Sequence, residues 1–70
     1  MSKSYHVYSR QNGSWAVRPT QSARAQSVHA TMAAAISAAR QIARTHGAEM
    51  VVHALDGKVS ERENYALATL

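Results

Sequence analysis

The amino-acid sequence predicts an α+β domain: one helix packed on a small antiparallel sheet, with elements in the order β-β-(β)-α-β-β. Three features predict it. Two short alternating segments flank Gln11-Asn12-Gly13, a hairpin signal. An alanine-rich stretch with apolar residues at helical spacing runs from Met32 to His46, between Thr31 and Gly47. A second pair of β-prone segments surrounds Asp56-Gly57, again a hairpin signal.

The first hairpin joins Tyr5–Arg10 to Ser14–Arg18, and its loop length decides which residues share a face. A two-residue loop at Asn12-Gly13 pairs Val7 with Arg18 and scatters charge over both faces. A three-residue loop with Gly13 left-handed pairs Val7 with Val17 and His6 with Arg18. One face then carries Tyr5, Val7, Trp15 and Val17; the other carries His6, Tyr8, Arg10, Ala16 and Arg18. Burial of one face sets register, which favours the longer loop. It also makes Trp15 a core residue, as a small domain needs of its one large aromatic; the shorter loop would move it to the arginine face. Pro19 ends the strand.

Residues 23–29 predict a short third strand. Thr31 is an N-cap and Gly47 a C′ residue around the helix 32–46. Met32, Ala35, Ile36, Ala39, Ile42, Ala43 and His46 follow i, i+3, i+4 spacing and form the expected buried stripe. Segment 49–55 has apolar groups on both faces, which predicts a central strand. Lys58–Arg62 returns as a charged edge strand. The whole chain, 1–70, reads as one domain, with an ordered core over 4–62 and a loosely ordered tail over 63–70, where Tyr65 and Leu67 are apolar enough to pack.

Composition narrows the function. Seventy residues bury only about 60% of their unfolded surface, which leaves little room for a deep cleft. Hydrophobic residues make up 46%, too many for a disordered chain, but fourteen of them are alanine, so the large core residues are few. There is no cysteine, which excludes disulfides and thiolate metal sites. No apolar run nears the ~20 residues of a membrane span, and the N-terminus lacks the long apolar segment of a signal peptide. A soluble cytoplasmic protein is expected.

The net charge is +4, but it is unevenly placed. Residues 1–48 carry six cations and no acid, whereas 49–70 carry four acids against Lys58 and Arg62. Arginines without local carboxylates are available to an external polyanion. Five of those six cations are Arg rather than Lys, and Arg forks phosphate and stacks on bases better than Lys. A plain solvated surface that keeps the protein soluble is the competing explanation.

The series Tyr5-His6-Val7, Gly13-x-Trp15-Ala16-Val17, Arg24-Ala25, Thr31 opening a helix with Ala35, Ala38, Ala39 and Ala43, then Val51-Val52-His53 and Asp56-Gly57, resembles the domain of unknown function 2188 family, small bacterial and phage proteins. The likeness runs from Tyr5 to about Tyr65. Met32-Ala33-Ala34 depart from the Lys and Glu that the family usually places early in the helix, and Asn64-Tyr65-Ala66 from its usual Ser-Tyr-Gly ending. The resemblance implies a fold and no assigned activity. A hairpin with Gly-x-Trp-x-Val, a further strand and an alanine-rich helix opened by Thr is also similar to plant AP2-type DNA-binding domains. Those lay a three-stranded sheet in the major groove.

The expected function is a small basic nucleic-acid-binding domain without enzymatic activity. Arg10, Arg18 and Arg24 on the sheet face would contact phosphate, DNA in preference to RNA, with His6 beside them and Tyr8 as a platform for an unpaired base. Arg40 and Arg44 form a second basic strip on the helix, with no Glu four residues before either. The four histidines lack H-x-H or H-x-x-x-H spacing and a nearby cluster of carboxylates, so no metal is expected; no cofactor motif is present. His46 suits the helix C-terminus, and His6 and His53 suit ordinary strand positions bonded to neighbours. There is no nucleophile elbow or glycine-rich phosphate loop. The alternative function is a protein-interaction module, a homodimer or a phage or mobile-element inhibitor of a host nucleoprotein machine such as a defence complex. It would work through the exposed surface of Met50–Leu55. The helix face is too rich in alanine to hold a membrane.

Overall fold

A computed structural model of the chain describes residues 4–20, 22 and 24–65. Its elements are β1 (Ser4–Ser9), β2 (Trp15–Pro19), β3 (Ser27–His29), α1 (Met32–His46), β4 (Glu49–His53) and β5 (Val59–Asn64). The strands form one sheet in the order β3-β2-β1-β4-β5, and α1 covers one face of it. The fold class is therefore α+β, as the sequence predicts.

The first hairpin takes the register with a three-residue loop. Val7 pairs with Val17 and His6 with Arg18. Gly13 has φ 86°, a left-handed conformation that suits glycine. The Arg10 N–H donates to Ser14 O at 2.8 Å and the Gly13 N–H to Arg10 O at 3.1 Å. Asn12 Oδ1 accepts from the Ser14 N–H and hydroxyl at 3.1 and 2.6 Å. Trp15 is packed against the core.

The sheet is mixed, not antiparallel throughout. β1 and β4 run parallel, with Tyr5 beside Met50 and Val7 beside Val52. The reason is the crossover: β1, β2 and β3 alternate in direction, and the 15-residue α1 then carries the chain back to the end where β1 starts. A helix is the usual length of connection for parallel neighbours. β4 lies between β1 and β5, in keeping with its apolar sequence; Met50, Val51 and Val52 are all buried. Of the Met50–Leu55 surface on which an interaction module was expected to rely, Met50, Val51 and Val52 are therefore covered, whereas Leu55 is 81% exposed.

Among the described residues 24–29 of the expected third strand, Ser27–His29 form a strand. α1 has the predicted ends. Thr31 is extended, and its hydroxyl accepts from the Ala34 N–H at 3.1 Å. Gly47 is left-handed with φ 60°. The buried helical residues are Ala35, Ala39 and Ala43, with Ile36 and Ile42 packed beside them. The two ends of the predicted stripe differ. Met32 is 43% exposed, and exposed His46 stacks on Tyr5 with centroids 6.1 Å apart.

Asp56-Gly57 forms the second turn, in which the Lys58 N–H donates to Asp56 Oδ1 at 3.0 Å. A register shift separates Val52 from His53. β5 extends to Asn64, beyond the point where the tail was expected to begin, and the Tyr65 N–H donates to Ala48 O at 3.0 Å. The expected packing of Leu67 lies outside the described residues. Among the described residues, no helix is long and apolar enough to cross a membrane.

Candidate nucleic-acid interface on the open sheet face

Strand alternation puts Tyr5, Val7, Val17, Met50 and Val52 under the helix and their sequence neighbours on the opposite face. Register aligns Arg18 of β2, His6 of β1, Val51 of β4 and Arg62 of β5 in one row across that face. Tyr8 stands next along β1. The Arg18 guanidinium lies 5.8 Å from the Tyr8 ring centroid and donates to Ser22 O at 2.8 Å. This fixes its direction while engaging one of its five N–H groups.

His6 links the row to its neighbours. Its Nδ1 is 2.9 Å from His53 Nε2, its Nε2 is 2.9 Å from Thr20 Oγ1, and the two rings stack at 5.2 Å. Burial, above all, lowers the His6 pKa below its ordinary value; His53, Arg18 and Arg62 lower it further and Glu49 opposes them. Arg62 is 63% exposed and stands 3.8 Å from Glu49, a loose surface pair of small worth. Register places Glu61 beside Val52 and Glu63 beside Met50, so both belong to the helix side. His6, Tyr8, Arg18, His53, Leu55 and Gly57 line an open pocket of about 310 Å³ on the cationic face.

His6, Tyr8 and Arg18 are therefore brought together as the sequence predicts. Arg10 is exposed at the hairpin end beside Gln11 and Asn12. Arg24 is exposed in the β2–β3 connection, where its N–H donates to the Ser22 hydroxyl at 3.1 Å. Both stand at the margin of the face rather than on it. Arg40 and Arg44 lie on α1, on the other side of the sheet.

Arg40 is not a solvated cation. Its Nε donates to Glu63 Oε1 at 3.0 Å and to the Tyr65 hydroxyl at 3.1 Å, and its NH2 reaches Glu63 Oε2 at 3.3 Å. The Arg44 guanidinium lies 5.9 Å from the Tyr65 ring centroid. The expectation of two unpaired helix cations fails for Arg40 because its carboxylate comes from β5, 23 residues away, where helix spacing gives no clue.

This latch has a pH dependence. Hydrogen bonds from Tyr65, and then from Arg40, hold the Glu63 carboxyl below its ordinary pKa. A depressed carboxylate pKa contributes stability that is complete above the unfolded value and is lost as pH falls through the folded one. The stability advantage of the native protein over Glu63→Gln is expected to shrink steadily as pH is lowered from 6 to 3, read from urea midpoints. An advantage that grows on acidification would contradict the latch.

His53 and Arg62 are site residues that sequence reasoning did not assign. Alternation from Val51 hints at His53, but its contact with His6 depends on the parallel β1·β4 pairing. Among the described residues, no three His, Cys, Asp or Glu side chains converge as metal ligands would.

Residues 5–65 match the model of the family described as uncharacterized protein conserved in bacteria (DUF2188), and the chain belongs to that family. No curated protein matches the chain, and no solved structure matches it.

Proposed function

We propose that this DUF2188 family member is a small basic nucleic-acid-binding domain, without enzymatic activity, that meets the phosphate backbone with its open sheet face. The carrying observation is the row Arg18–His6–Val51–Arg62 with Tyr8 beside it, on the face that the helix leaves uncovered. β2 and β5 are three strand spacings apart, about 14 Å, comparable to the ~12 Å width of a DNA major groove. Arg18 and Arg62 would contact phosphate across that span, and marginal Arg10 and Arg24 would extend the contact. Tyr8 holds Arg18 in place. Backbone contacts of this kind carry modest sequence preference, DNA is the favoured partner over RNA, and the cytoplasm is the expected setting.

The test is a salt titration with a mixed-sequence 20-base-pair DNA duplex. The Arg18→Ala, Arg62→Ala double variant is expected to lower the slope of log K against log salt by about two units, and Arg40→Ala to leave it unchanged. An unchanged slope in the double variant would overturn the proposal.

The competing function, binding to a host protein complex, draws support from Leu55, 81% exposed on the pocket rim, and from half-exposed Val59 on the edge strand. Capture of one protein after nuclease treatment, abolished by Leu55→Asp but not by the double arginine variant, would favour it.

A further inference from the structure

The rings of His6 and His53 belong to one unbroken chain of hydrogen-bonding partners. Gly57 O is 3.4 Å from His53 Nδ1; His53 Nε2 is 2.9 Å from His6 Nδ1; His6 Nε2 is 2.9 Å from Thr20 Oγ1; and Thr20 Oγ1 is 3.1 Å from Ser4 O. Both ends are carbonyl oxygens, which only accept. Two neutral imidazoles and one hydroxyl bring one proton each. Four contacts therefore share three protons, and one contact always has lone pairs facing each other. One added proton completes the chain. A second would set two imidazoliums in stacked rings.

The surroundings decide when that proton enters. Arg18 from β2 and Arg62 from β5 oppose it, and Glu49 from β4 favours it. Tyr8 of β1 flanks the pair, and Asp56 and Lys58 belong to the turn beside His53. The helix lies on the far side of the sheet. Burial, His53 and the two arginines hold His6 below its ordinary value, so at neutral pH the His6 ring is neutral in the free protein. An anion in the adjoining pocket would offset both arginines and supply the missing counter-charge.

We propose that this pocket is a proton-linked phosphate site, in which a nucleic-acid phosphodiester bound against Arg18 draws in a single proton shared by His6 and His53. The proposal rests on the nucleic-acid function above and adds its regulation: binding tightens as pH falls. By linkage, uptake of one proton strengthens binding at most about tenfold per pH unit, between the free and bound pKa values.

The test has two arms. In the first, ring-nitrogen NMR follows the histidines of the intact protein from pH 8 to 4.5, alone, with sodium sulfate as a non-titrating oxyanion, and with the 20-base-pair duplex. The expected result is that His6 and His53 titrate together, taking up one proton, with a midpoint that rises when duplex or sulfate is added. His29 and His46, away from the pocket, serve as internal references. In the second arm, duplex affinity is measured at pH 7.5, 6.5 and 5.5. Native protein is expected to gain about three- to tenfold per unit across the transition. His53→Gln and His6→Gln are each expected to flatten that gain.

Duplex binding with no pH dependence, or rings that titrate independently, overturns the proton link and leaves the nucleic-acid function standing. No duplex binding at any pH overturns that function. Sulfate then decides the pocket: a raised midpoint keeps it as an oxyanion site, and an unmoved midpoint ends the proposal. The NMR arm uses the native chain, so the outcome does not depend on the folding of either variant.

Discussion

Met50→Ala is expected to remove most of the stability of this domain. Met50 is fully buried, in register with Tyr5 on one side and Glu63 on the other. It is among the largest side chains that the core buries completely; the others are valines. Truncation of a buried Met to Ala costs about 2–5 kcal/mol, and the upper part of that range applies where neighbours cannot close the cavity. Here the helix offers Ala35, Ala39 and Ala43, whose methyl groups have no rotamer with which to refill space. A domain of this size has about 4–10 kcal/mol in total. The melting temperature should fall by roughly 8–40 °C, at about 4–8 °C per kcal/mol. Met50→Leu, close in volume, should cost less than about 1.5 kcal/mol. Urea unfolding followed by circular dichroism measures both. A loss under about 1 kcal/mol for Met50→Ala would mean that β4 does not hold the centre of the core.

The parts of the fold that could be read in the sequence are those set by neighbouring residues. Gly13 and the need to bury Val7 with Val17 determine the first hairpin, and the structure has that register. Thr31 and Gly47 mark both ends of the helix because capping is a local exchange of hydrogen bonds. The parallel β1·β4 pairing was not legible. The apolar residues of β4 say that it is interior but not which strand it meets or in which direction. Two features of the candidate site were hidden for the same reason. The His6–His53 contact spans 47 positions and exists only through that pairing. Arg40 finds Glu63 only because β5 folds back beside the helix. Charge counting along the chain identified a segment without acids, but not that one of its arginines would be neutralised from outside it.

The alanine face of the helix leads to the second large effect. Ala39→Leu is expected to destabilise the protein by about 1–3 kcal/mol, because added methylenes in a filled core force rotamers and backbone out of place. Ala39 is fully buried at the centre of the helix, between Ala35 and Ala43, in the core cluster that also holds Val7, Val17 and Met50. Here leucine has no gain to set against the strain, since Ala39 already has no surface left to remove from water. Ala33→Leu, on the exposed side of the same helix, should stay within about 0.5 kcal/mol, so helix propensity is controlled. The same pair of variants separates core from site. The guanidinium of Arg18 and the imidazoles of His6 and His53 lie across the sheet from the substitution. Below its lowered melting temperature, Ala39→Leu should therefore bind the DNA duplex with native affinity and native salt slope. A variant that loses duplex binding while still folded would show that the open face depends on how closely the helix sits, and that the two faces of the sheet are coupled through its five strands.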